Sequence, residues 1–228
     1  MRADQIRDIY DQSADRCDAK TAPIERLWLN RLRQEAGGRL HGGTLEVAIG
    51  TGLNLPHYGI GVTHAVGIDL SSGMLLQAAM RSREVGRPID LLQMDAERLA
   101  FADGSFDSLI TTLSMCTVLR PEVALAEMMR VLRPGGRAVF LEHVRSPNRM
   151  VTAVLQSLSP LQERRHGCCL VRDSVETIRR AGFSIESDQS RILGVLRLVV
   201  CRKDAEPQRA TIKGLSPARR TGPACAQI

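Results

Sequence analysis

Aromatic side chains are scarce: only 3% of the 228 residues are Phe, Trp or Tyr, too few for a stacking platform that would hold single-stranded nucleic acid. Long apolar runs are missing as well. No stretch approaches the roughly 20 apolar residues of a membrane span, and the opening MRADQIRDIYDQSADRCDAK has no apolar signal core. A cytoplasmic protein without stable membrane insertion is expected. Cysteine occurs six times, but with no C-x-x-C pair and no Cys/His ligand spacing. The sequence therefore predicts reduced thiols and no metal centre.

The remaining composition is that of one globular enzyme domain, 43% hydrophobic and 25% charged. The net charge of +6 is unevenly placed. Residues 202–228 hold six basic side chains and two acids, which leaves only +2 for the other 201 residues. The stretch 204–228, with Pro207, Pro217 and Pro223 and no apolar period, reads as a disordered basic tail.

Residues 1–40 read as a helical cap or lid. In IERLWLNRLRQ, Ile24, Leu27, Trp28 and Leu32 fall on one helical face, and Gly37-Gly38 ends the segment. Strand-like runs then follow at 44–50, 63–70, 89–95, 105–113 and 136–144. Helical patterns lie between them at about 72–85 and 121–132, the second stopped by RPGG. Alternation of this kind predicts an α/β fold of right-handed crossovers on a parallel sheet over residues 41–203. The last two β-rich runs have no helix between them, so they should pair as an antiparallel hairpin at the sheet edge.

The stretch TLEVAIGTGLNLPHY (44–58) is the most informative. From Gly50 it reads G-T-G-L-N-L, with Leu55 where a dinucleotide loop requires its third glycine. No Gly-Lys-Ser/Thr ending of a phosphate loop is present either. A nucleoside ligand without phosphates, S-adenosylmethionine, fits better. Gly50 and Gly52 would let backbone approach it, and Glu46 would meet its ammonium group. Asp69, ending the second strand, would accept from the ribose hydroxyls, and Asp95, ending the third, from the adenine amino group beside the Ala96 amide. Each acid alone could be a turn or cap residue. Three at successive strand ends mark the edge where open α/β sheets bind ligands.

LEVAIGTGLNLPHY, VGIDLSSGML, DAERLAFADGSFDSLITTLSMCTV and MMRVLRPGGRAVFLEHV together resemble the successive motifs of class I S-adenosylmethionine-dependent methyltransferases, over about residues 40–200. The resemblance implies a Rossmann-like three-layer sandwich around a seven-stranded, mostly parallel sheet. It adds Leu70, Leu113 and Ser114 to the cofactor contacts and puts Ala48 where the family has a glycine. IYDQSADRCD (9–18) is similar to the lid of quinone-precursor C-methyltransferases, which favour Tyr where Cys17 stands. FLEHVRSPN (140–148) and HGCCLVRDSVETIRRAGF (166–183) resemble the methyltransferase-like proteins that methylate alkyl thiols, though without the membrane anchor of the animal enzymes.

A small-molecule acceptor is therefore expected. A thiol leads, and a quinone, lipid or secondary metabolite methylated on C or O is the alternative. A thiol needs little help to ionise; a phenol or carbon acid needs a base, for which His143 at the end of the fifth strand is the candidate. Cys116, Met74 and Cys168-Cys169 read as core or wall residues first. TTLSMCTV lacks the proline and aromatic residues used by enzymes that methylate exocyclic base amines, so a flipped base has no holder. Two further classes are weaker: a nucleic-acid-binding module on the same scaffold, since charge outside the tail is low, and a dinucleotide oxidoreductase, opposed by Leu55.

Overall fold

The computed structural model describes residues 1–205, apart from the side chains at 165 and 166. The tail expected at 204–228 lies outside the described residues from position 206 on. One sheet carries seven strands: β1 (Gly42–Val47), β2 (Val62–Asp69), β3 (Asp90–Gln93), β4 (Phe106–Thr112), β5 (Leu132–His143), β6 (Ser184–Arg191) and β7 (Leu196–Arg202). Their order is β3-β2-β1-β4-β5-β7-β6. β1 to β5 run parallel, and β7 is antiparallel to both β5 and β6. The expected edge hairpin is present.

Three helices precede the sheet: α1 (Ala3–Ser13), α2 (Cys17–Ile24) and α3 (Asn30–Gly37). α4 (Ser72–Glu84) leaves β2, and α5 (Pro121–Val131) crosses from β4 to β5. α6 (Arg149–His166) and α7 (Ser174–Arg180) connect β5 to the hairpin.

Central strands covered on both faces must be apolar on both faces, and residues 109–110 and 138–141 are. Leu45, Leu109 and Phe140 point to one side, against Leu125 and Met128 of α5 and Ile178 of α7. Ile110, Val139 and Leu141 point to the other, against Leu32 and Ala36 of α3 and Ala78 of α4. Each such side chain contributes roughly 1.5–3 kcal/mol by leaving water.

Two expectations are corrected. Ile24, Leu27 and Trp28 do not share the buried face with Leu32; they are exposed, and Leu29, Leu32 and Ala36 are buried instead. A π turn at Glu25–Leu29 separates α2 from α3, and its extra residue breaks the 3.6-residue phase. The fifth strand also starts earlier than RPGG suggests. α5 ends at Val131 and β5 begins at Leu132, running through Arg133–Gly136 with Gly135 at φ +76°. The irregularity appears as a register skip opposite Phe106/Ser108.

No helix among the described residues is long and apolar enough to cross a membrane. The strand order reverses between β1 and β4, so the carboxyl ends of these strands open a crevice where the chain leaves in opposite directions.

Candidate active site

A cavity of about 330 Å³ occupies that crevice. Glu46, Ala48, Gly50, Asp69, Leu70, Asp95, Ala96, Leu113 and Ser114, all expected at the cofactor, line it. Met74, read from the sequence as core, is buried and also lines it. Gly52 does not. A Cβ there would sit 2.8 Å from Leu55 and 3.3 Å from the Ala78 backbone, so this glycine lets the turn close against α4. Gly50 faces the cavity: at φ +56°, a Cβ built on it meets nothing within 4 Å. Ala48 and Leu113 also hold positive φ, +54° and +53°.

The acids are held by the turn they support. Asp69 accepts from the amides of Gly50 (2.8 Å) and Ser71 (2.9 Å), and burial pushes its pKa up. Asp95 accepts from the Glu97 amide at 2.9 Å. Glu46 is fully buried and accepts from the Tyr58 hydroxyl and from Asn54 Nδ2 (2.7 Å). Asn54 in turn accepts from Arg33, which is paired with Glu25 at 2.6 Å. Burial raises the Glu46 pKa to about 7. A carboxyl poised there is ready to ionise when a cation arrives beside it.

The N-terminal helices reach these same groups. Asp11 of α1 accepts from Ser71 Oγ (2.5 Å) and the Gly73 amide (2.8 Å), both at the start of α4. Asp18 of α2 accepts from Thr51 Oγ1 (2.7 Å) and from Arg81 (2.5 Å). Ala3, Ile6, Arg7 and Tyr10 of α1 complete the cavity wall. Burial holds the Tyr10 hydroxyl protonated. Sequence reasoning missed Asp11, Asp18, Arg33, Asn54 and Tyr58. The only signal was two aspartates seven positions apart, which puts them on one side of a helical segment.

The loop after β4 is clamped from two directions. Glu142, buried and raised to about 7 by burial, accepts from the amides of Ser114 (3.3 Å) and Met115 (3.2 Å). Arg172 donates to the carbonyls of Met115 (2.6 Å) and Val118 (2.7 Å). His143, expected as the base, is not among the cavity-lining residues. Its Nε2 lies 3.1 Å from Cys168 Sγ, which does not line the cavity either. Neighbouring residues on a strand point to opposite faces, so Glu142 takes the Ser114 and Met115 amides while the His143 ring turns to Cys116 and Cys168 instead of into the cavity.

The architecture and this crevice define a nucleoside-binding α/β enzyme of the methyltransferase type. Residues 45–140 match the family described as "Methyltransferase domain". A ubiquinone/menaquinone biosynthesis C-methyltransferase of Roseobacter denitrificans is 30% identical over 94% of this chain and 87% of its own length. A phosphatidylethanolamine N-methyltransferase of Cereibacter sphaeroides is 39% identical over 54% of this chain, and that match spans only 59% of the relative's length. An S-adenosylmethionine-dependent methyltransferase of Thermotoga maritima, 19% identical, superposes with a TM-score of 0.66 over 87% of this chain and all of its own, a likeness of fold. The chain belongs to the class I S-adenosylmethionine-dependent methyltransferases.

Proposed function

We propose that this protein methylates a small, largely apolar acceptor, a thiol foremost. When bound, S-adenosylmethionine supplies an electrophilic methyl group and its own leaving group. The chain's residues do the binding and aligning, which is worth roughly 7–11 kcal/mol of barrier. Asp69, with lone pairs left beyond its two amides, accepts from the ribose hydroxyls. Asp95 and the Ala96 amide read the adenine, and Glu46 faces the ammonium end. Gly50 leaves the gap, while Leu113 and Ser114 offer backbone atoms.

The thiol reading is carried by the acceptor side of the cavity. Among the described lining residues there is no histidine, and the one phenol, Tyr10, is held protonated. An acceptor with a reference pKa near 8.5 supplies its own thiolate in useful amount without a protein base. The resemblance of residues 140–148 and 166–183 to thiol methyltransferases points the same way. A second reading, a quinol or lipid acceptor, is favoured by what the relatives of Roseobacter and Cereibacter are named for.

The deciding experiment follows radiolabelled methyl from S-adenosylmethionine into an alkyl thiol, a demethylmenaquinol and phosphatidylethanolamine vesicles in parallel. Transfer to the thiol, rising with pH toward the thiol pKa, is expected. Transfer confined to the quinol or the lipid replaces the first reading by the second. Failure of all three, with no cofactor binding, removes both.

A further inference from the structure

Cys116, His143 and Cys168 come from three separate elements: the loop after β4, the end of β5 and the loop after α6. Their sulfur and nitrogen atoms all lie within 4.8 Å of one another. Cys116 is buried, and the other two are half-buried. The sequence, lacking any short Cys/His spacing, predicts no metal here; only the fold assembles the set. The convergence is built rather than incidental. Glu142 and Arg172 fix the Cys116 loop from either side, and the Cys169 amide donates to the Cys116 carbonyl at 3.0 Å, tying the Cys168 loop to it. The ring of His143 has no other polar employment: Nδ1 is buried with no hydrogen-bond partner among the described residues.

We infer that Cys116, His143 and Cys168 form a site for a thiophilic d10 cation, Zn²⁺ in the first place, just outside the lining of the cavity. Two thiolates and one imidazole are the donor set of a tetrahedral zinc centre with one open position. Zn–S bonds near 2.3 Å and Zn–N bonds near 2.0–2.1 Å place such ligand atoms roughly 3.5–3.8 Å apart. The observed spread, from 3.1 Å to at most 4.8 Å, brackets that spacing. Binding forms two Zn–S bonds and one Zn–N bond and releases one proton from each cysteine thiol. Two thiolate charges then cancel the charge of the ion, so the buried centre is neutral. The site adjoins the acceptor side: Thr117 Oγ1 lies 3.5 Å from Cys116 Sγ and 3.4 Å from the Tyr10 hydroxyl, and both Thr117 and Tyr10 line the cavity. It stands whichever acceptor class proves right.

The test is a titration of the reduced, chelator-treated full chain with Co²⁺, read by thiolate-to-cobalt charge transfer and tetrahedral d–d absorption, followed by displacement with Zn²⁺. One equivalent is expected to bind. Cys116→Ser, Cys168→Ser and His143→Ala should each lose the bands or weaken binding at least tenfold. Cys169→Ser, the adjacent thiol, should bind as the wild type does. Zn²⁺ should also raise the melting temperature of the wild type, a readout that needs no variant. Absence of the charge-transfer bands in reduced wild-type protein overturns the proposal. So does retention of the bands in Cys168→Ser, or air oxidation to a Cys116–Cys168 disulfide in a protein whose reduced form takes up no metal.

Discussion

At the scale of single residues, the cavity edge divides into groups proposed to meet the cofactor and groups that hold them in place. Asp69 holds the turn through the Gly50 and Ser71 amides and is proposed to meet the ribose as well. Replacing it by Ala removes charge-assisted hydrogen bonds worth about 1.5–3 kcal/mol each, so calorimetry should show S-adenosylmethionine affinity down by at least tenfold. The variant also frees the Gly50 and Ser71 amides. The local turn should therefore exchange amide hydrogens faster even though the sheet remains folded. Ala48 makes the opposite prediction. An L side chain at φ +54° is strained by roughly 1–2 kcal/mol, partly offset by the larger unfolded-state entropy of glycine. Ala48→Gly should raise stability in urea by up to about 1 kcal/mol and leave cofactor affinity undiminished. The meeting of Glu46, Asp69 and Asp95 in one cavity was legible in the sequence because the ends of neighbouring strands on one edge are necessarily close, although β3 stops at Gln93, two residues short of Asp95. Gly52 was misread because its constraint comes from Ala78 on a different helix, which no local spacing reveals.

At the scale of elements, the N-terminal helices are fastened to the rim of the cavity by two aspartates. Asp11 caps the start of α4, and Asp18 bridges the glycine turn and Arg81. Asp18→Ala should loosen residues 1–24 in hydrogen-exchange mass spectrometry and speed cofactor release. Global stability should change by no more than about 1 kcal/mol, as for other solvent-accessible ion pairs. Unchanged exchange in that segment would show that the N-terminal helices are held by their apolar contacts alone. These fastenings were invisible in the sequence. The N-terminal stretch shows a helical pattern, but its partners lie 33 to 63 residues away, and the π turn rotates α2 out of the phase its apolar residues suggest. The Cys116–His143–Cys168 convergence was hidden for the same reason: proximity across crossovers leaves no mark in local spacing.

For the whole molecule, stability should depend on pH through two buried glutamates. Glu46 and Glu142 have pKa values raised to about 7, chiefly by burial, against 4.5 for the unperturbed group. The folded state therefore holds more protons than the unfolded chain between those values. The associated stability is fully present below about pH 4.5 and is lost as pH rises through about 7. At the acid end the sign reverses. Asp107 is held below the usual range by the Gly43 amide and Arg133, and Glu127 by Arg130. Their contribution disappears as pH falls through those lowered values. The ligand-free protein should thus melt highest near pH ~5, and Glu142→Gln should flatten the decline between pH 5 and 8. On the proposed placement of Glu46 at the ammonium end, cofactor affinity should move the other way, tightening toward pH 8 as the carboxyl ionises.

The two outer strands carry a consequence for how the molecule ends. β3 has four residues, too short to template a neighbour. On β6, Glu186 and Asp188 are taken up in ion pairs with Arg202 and Arg197 of β7, which spaces charge along the opposite border. Borders of this kind discourage pairing with another chain's strand. The sheet is thus expected to resist growth at either end, and self-association of the folded domain by strand addition, the usual opening to fibrous aggregation, is disfavoured at both sides.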